Sequence, residues 1–131
     1  MKAAVPLAEI LERDWQRQVR QLAETLGYRR AYHTFDSRRS DTGFPDLVLC
    51  SPARRRVVFL ELKREKGKLT DTQAWWVRDL HRAGAEVYVA RPRHFQALAA
   101  ILGPQGAAAY SDGVAELHAE LERLFERGLV A

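Results

Sequence analysis

The sequence predicts a mixed α/β fold, with one central sheet flanked by helices. Three observations predict it. Stripes of apolar residues at helical spacing stand at both ends of the chain. Between them lie short apolar runs set off by glycine and proline. The last two of these runs are separated by a helical segment, which implies a parallel strand pair joined by a right-handed crossover.

From Leu7 to Leu26, the residues Leu11, Trp15, Val19, Leu22 and Leu26 fall on one helical face, and Gly27 stops the helix. Arg30 to Phe35 is an aromatic-rich strand candidate, and the polar Asp36 to Gly43 reads as a loop. Asp46 to Cys50 follows a proline as a continuous apolar run, expected to be a buried strand, with Cys50 a small buried hydrophobe. After a turn at Ser51 to Arg55 comes Arg56 to Lys63, whose Val-Val-Phe-Leu run suggests burial on both faces. Arg64 to Leu69 is a charged loop. Thr70 opens a helix with Gln73 at capping-box spacing, and Trp76, Val77 and Leu80 form its inner stripe. Ala85 to Ala90 is a fourth strand, His94 to Leu102 reads as helical, and Gly103 to Gly113 is a connection. Val114 to Arg127 closes the series as an amphipathic helix carrying Leu117, Leu121, Leu124 and Phe125. The early strands have short links and suit antiparallel pairing.

At 131 residues, 47% hydrophobic and 29% charged, the chain suits one folded domain rather than a disordered segment. The core of that domain is expected at about residues 7–92, with a helical extension over about 93–131. The net charge of +4 leans toward a polyanionic partner. A single cysteine excludes an intrachain disulfide and a cysteine-built zinc site. Without an apolar stretch long enough to span a bilayer, or a secretory signal of the usual kind, a soluble cytoplasmic protein is expected.

Three polar side chains stand where a strand pair should be apolar. Asp46 begins one strand, while Glu61 and Lys63 end the next. Two residues apart on a strand, Glu61 and Lys63 share a face. Glu61 follows Asp46 by fifteen residues, room for strand, turn and strand, so pairing would bring both carboxylates together. Two adjacent carboxylates repel unless a cation lies between them. Hard oxygen donors suit Mg²⁺ or Mn²⁺, and Lys63 beside such an ion could orient or deprotonate a water, or steady charge on a phosphate. An E-x-K pair on a strand is ordinarily a solvated ion pair. What distinguishes this one is the apolar setting of Phe59, Leu60 and Leu62.

Gly43-Phe44-Pro45-Asp46, then Glu61-Leu62-Lys63, then Gly67, Gln73 and Trp76 closely resemble the VRR-NUC domain, a branch of the PD-(D/E)XK nuclease superfamily. The resemblance runs from about Glu12 to Pro92. It implies a restriction-endonuclease-like sheet and a divalent-metal-dependent DNA endonuclease, selective for branched or four-way-junction DNA and working as a homodimer, with a place in DNA repair. It implies metal ligation by Asp46, Glu61, the backbone carbonyl of Leu62 and Glu12, with Asp14 as the alternative to Glu12. It also implies a catalytic role for Gln73 beside its capping role. Ser37, Arg38, Arg39 and Lys66 on the neighbouring loops, and His33 at the end of the first strand, are candidates for nucleic-acid contact. Trp75, off the inner stripe of its helix, is a candidate for base stacking or a dimer interface, with partial burial in the monomer as the simpler alternative, and the C-terminal helix either offers further apolar surface for a dimer or caps the sheet of its own chain. The competing readings are a nuclease-like fold that grips DNA without cutting, and an enzyme acting on small phosphate esters.

Overall fold

A computed structural model describes residues 5–34 and 42–127. Four strands form one mixed sheet in the order β1-β2-β3-β4: β1 Arg30–His33, β2 Leu47–Ser51, β3 Arg56–Leu62 and β4 Glu86–Ala90. β1 with β2 and β2 with β3 are antiparallel, and β3 with β4 is parallel. Four helices surround it: α1 Glu12–Thr25, α2 Asp71–Arg82, α3 Phe95–Leu102 and α4 Asp112–Phe125. The predicted mixed sheet and its parallel last pair are therefore present. None of the described helices is long and apolar enough to cross a membrane.

Strand alternation divides the core into two. Leu47, Leu49, Val58, Leu60 and Leu62 point to one face, where Trp15 and Val19 of α1 and Leu98 and Ile101 of α3 cover them. Phe59, Val87 and Val89 point to the other, against Ala74 and Val77 of α2 and Leu121 and Leu124 of α4. α4 thus spends its apolar face on its own chain: Leu117 is fully buried, and Leu121 and Leu124 nearly so. The expectation that this helix supplies surface to a dimer is corrected on that point.

The first helix also differs from its sequence reading. Leu7–Glu9 is a separate 3-10 turn, and Leu11 is the N-cap residue of α1 and substantially exposed. The residues that α1 buries are Trp15, Val19 and Ala23. Leu22 and Leu26 are half-buried against the same core, so the expected stripe holds from Trp15 onward, widened to Ala23 and without Leu11. On α2, Ala74 and Val77 are buried, while Trp76 and Leu80 are half-buried. Cys50 is half-buried rather than in the core, because it lies on the strand face opposite Leu47 and Leu49. The Gly103 to Gly113 connection holds a 3-10 turn at Gly106–Ala108.

Candidate active site

Antiparallel register brings the acids together. Leu47 pairs with Leu60, so Asp46 lies opposite Glu61, one step beyond. Both belong to the strand face that carries Phe59 and Lys63, toward α2. The Asp46 carboxylate is fixed by the backbone: Oδ2 accepts from the Leu62 N–H at 2.8 Å. An antiparallel residue's N–H and C=O point to the same side, so the Leu62 carbonyl also faces the Asp46 side of β3. Asp46 is tied to β1 as well, through the Thr34 N–H donating to its carbonyl at 2.9 Å.

The approach to Asp46 is set by Gly43. Its φ of +88° is in the left-handed region, and a Cβ there would sit 2.6 Å from the backbone carbon of Thr72. The turn therefore packs directly on the first turn of α2, which no side chain would permit. Phe44 follows, edge-on to Trp76 at 5.1 Å and to Phe59 at 6.2 Å, and forms an aromatic floor beside the acids. Gly43→Ala should lower stability by about 1–3 kcal/mol through strain and collision. A thermal melt checks this, and a variant as stable as the parent would show that the turn has room to move.

Glu61 is fully buried, and neither carboxylate oxygen has a hydrogen-bond donor among the described residues. Burial first, and then the charge of Asp46, hold its carboxyl well above the usual glutamate range, against the opposing pull of Lys63. Asp46 is raised too, chiefly by burial, with the Leu62 N–H working the other way. A buried carboxylate facing a second one without a donor is a costly arrangement. A bound cation is what would relieve it. The donor set of two carboxylates and a strand-end carbonyl fits a hard divalent ion.

α1 is anchored to the same end of the sheet. The Ala90 carbonyl accepts from the Lys63 N–H at 3.1 Å and from Trp15 Nε1 at 3.0 Å. Glu12 lies three residues before Trp15, and its charge raises both Asp46 and Glu61. It is exposed, and it does not join the pair in one tight group: among the described residues, the three-residue His and acid grouping with ligand atoms within 4.8 Å is His94, Glu116 and Glu120. Asp14, the alternative, instead pairs with Arg17 at 3.8 Å.

That second grouping is already neutralised. Glu120 contacts Arg91, Arg93 and Arg123, and Glu116 contacts Arg93 and Arg123. His94 Nδ1 accepts from the Arg91 N–H, and burial holds the imidazole below its usual range, so it stays neutral. Three guanidiniums around two carboxylates leave no charge deficit for a cation. The network serves the loop after Lys63: Arg91 Nη1 donates to the carbonyls of Arg64 and Gly67, each at 2.6 Å. Sequence reasoning missed these residues because the bonds that join Arg91 to the loop and to Glu120 span 24 to 29 positions along the chain, so no local pattern marks them.

Gln73 completes both bonds of the capping box with Thr70: its N–H donates to Thr70 Oγ1 at 3.2 Å and its Oε1 accepts from the Thr70 N–H at 2.9 Å. Its side-chain oxygen thus has a structural task at the start of α2, beside the Gly43 turn. Lys63 is half-buried at the end of β3, and Lys66 is exposed on the loop that Arg91 holds. His33 Nε2 is 2.9 Å from Gln16 Oε1, joining β1 to α1. Trp75 is half-buried, and its indole N–H is enclosed without an acceptor among the described residues. Ser37, Arg38 and Arg39 lie outside the described residues.

Comparison with known proteins agrees with this geometry. A stretch of 56 residues is 32% identical to the Fanconi-associated nuclease 1 homolog of Schizosaccharomyces pombe, covering 43% of this chain and only 8% of that protein. No solved structure matches the chain significantly. The family model of the VRR-NUC domain matches residues 8–94, a span that takes in α1, all four strands and α2. With the paired acids, the strand-end lysine and the capped helix all inside that span, the chain belongs to the VRR-NUC family of nuclease domains.

Proposed function

We propose that this nuclease is a divalent-metal-dependent DNA endonuclease whose centre is Asp46, Glu61 and Lys63. The observation that carries the reading is the buried Glu61 carboxylate, set opposite Asp46 with no donor among the described residues. Asp46, Glu61 and the Leu62 carbonyl would hold Mg²⁺ or Mn²⁺, with Glu12, whose charge reaches both acids, as a further acid toward it. The ion, when bound, would supply Lewis-acid activation of a water and of the phosphate. Lys63, on the same strand face as Glu61, would orient an attacking water and offset charge growing on the phosphodiester. Asp46, fixed by the Leu62 N–H, holds its place without reorganising during the reaction.

We extend the proposal to branched DNA and a homodimer acting in repair. One centre cuts one strand, and paired cuts across a junction need two centres at a fixed separation, which a two-fold dimer supplies. The family resemblance, which implies a homodimer on branched DNA, supports this part.

The test is a cleavage panel of single-stranded, duplex, flap, fork and four-way-junction DNA with Mg²⁺, Mn²⁺ and EDTA. Cleavage with either metal and none in EDTA is expected, with the junction cut fastest. Binding without cleavage under every condition would make the protein a gripping module. Equal rates on duplex and junction would remove the branched-DNA part, and a monomer mass by light scattering would remove the dimer.

A further inference from the structure

A second feature of α1 faces away from the core. At 100° per residue, Gln16, Arg20, Arg13, Glu24 and Arg17 fall within about 100° of one another, beside the buried face of Trp15, Val19 and Ala23. Arg13, Arg17 and Arg20 are exposed. Two adjoining surface clefts follow this face. One, of about 380 Å³, is lined by Arg13, Gln16, Arg17, Arg20 and His33. The other, of about 650 Å³, is lined by Arg20, Tyr28, Arg29 and Arg30. Arg20 and Glu24 border both, so the clefts form one groove between α1 and the edge strand β1.

One end of this groove lies at the end of the sheet that carries the acids, on the opposite sheet face. His33 pairs with Leu47, the residue after Asp46, and bonds Gln16 of α1. The groove then runs outward along α1, away from Glu12. Five arginines line it against one acid, Glu24. Arg17 also has Asp14 at 3.8 Å, an exposed pair too weak to hold the guanidinium from a stronger anion. Edge strand β1 is exposed along Arg30, Ala31 and Tyr32, so no part of the described chain covers the groove floor at that edge.

We propose that the α1–β1 groove is the track for the DNA backbone leading to the active site, with Arg13, Arg17 and Arg20 seated on successive phosphates. The inference rests on the DNA-nuclease reading and adds the surface that holds the substrate. The spacing suits it: seven residues of helix span about 10 Å, about three phosphate-to-phosphate steps of one strand, so neighbouring phosphates lie within reach of the three side chains. Arginine's forked donors match phosphate oxygens. Contacts of this kind carry no sequence information, so the track fixes where the strand lies and leaves the choice of structure to the site and its surroundings.

The test compares the parent chain with Arg13→Gln/Arg17→Gln/Arg20→Gln, binding a labelled DNA duplex or four-way junction by fluorescence anisotropy across a salt series, in EDTA and in Ca²⁺. Loss of three phosphate contacts should flatten the plot of log affinity against log salt by about 0.9 per contact and weaken binding by at least about tenfold. The matching triple arginine-to-lysine variant keeps the charge and should keep most of the slope, which a purely structural role would not predict. Arg82→Gln/Arg55→Asn removes two exposed charges elsewhere and should leave the slope unchanged; asparagine suits position 55, where φ is 53°. In turnover, the triple glutamine variant should raise KM and spare kcat. Parent-like salt slope and affinity in that variant, with its melting curve intact, would overturn the groove while leaving the nuclease reading in place. Failure of the parent to bind either duplex or four-way-junction DNA in either buffer would overturn both.

Discussion

Glu61→Gln should abolish cleavage and at the same time raise the melting temperature of the metal-free protein. The two effects share one cause. In the absence of a cation, Glu61 is a buried acid facing Asp46 with no donor among the described residues. An unsatisfied buried group costs about 1–3 kcal/mol, and more when charged. Glutamine keeps the shape and removes the charge, so the metal-free variant should gain several degrees, at roughly 2–6 °C per kcal/mol for a chain of this size. It also loses a metal ligand, for which a fall in rate of at least about 10²-fold is expected. The pH dependence has a definite sign. The folded Glu61 carboxyl sits well above its ordinary 4.5, so the stability it contributes by holding a proton is complete below that value. It is lost as pH rises through the raised folded value. Melting in EDTA should therefore show the parent losing stability toward neutral pH and the variant losing less. Identical curves for the two proteins, together with unchanged cleavage, would return Glu61 to the role of an ordinary strand residue.

Lys63→Ala should leave the fold and metal binding intact and reduce turnover by about 10²–10⁴-fold. The bond that holds this position in the sheet is the backbone N–H to the Ala90 carbonyl, which alanine keeps. The side chain is half-buried at a strand end, so its removal opens no cavity in the core. Lys63 pulls both carboxyls toward ionisation, and without it each should hold its proton more tightly. The rate that remains should therefore rise with pH over a higher range than in the parent. Mn²⁺ titration by calorimetry and single-turnover cleavage separate binding from chemistry. Near-parent turnover would end the case for Lys63.

Much of this was legible in the sequence because it is local. The capping box lies within four residues, Thr70 to Gln73, and both predicted bonds are present. The strand pair carrying Asp46 and Glu61 followed from two apolar runs around a proline turn, and its register follows from that turn. The face of α1 was less legible. Apolar type marked Leu22 and Leu26, which pack on the core, but also Leu11, which does not, and it passed over small Ala23; the fully buried residues are centred near Val19. Glu12 then lies only about 20° from that centre at 100° per residue, one turn before the core begins. That is why an exposed glutamate can still act on both acids. Gly43 stood in the motif without a physical reason until its contact with the backbone of Thr72 supplied one. The Arg91 network was not readable, because its partners meet only once α4 is packed.

That packing sets where the nuclease can be divided. The family match ends at residue 94, yet Glu120 of α4 grips the arginine that fastens the loop behind Lys63. α4 also seals both halves of the core, through Val114 and Leu117 on one side and Leu121 and Leu124 on the other. The boundary of sequence kinship is therefore not a boundary of cooperativity. A graft of residues 8–94 into another protein would need a substitute for the helix it leaves behind, an acid for Arg91 included.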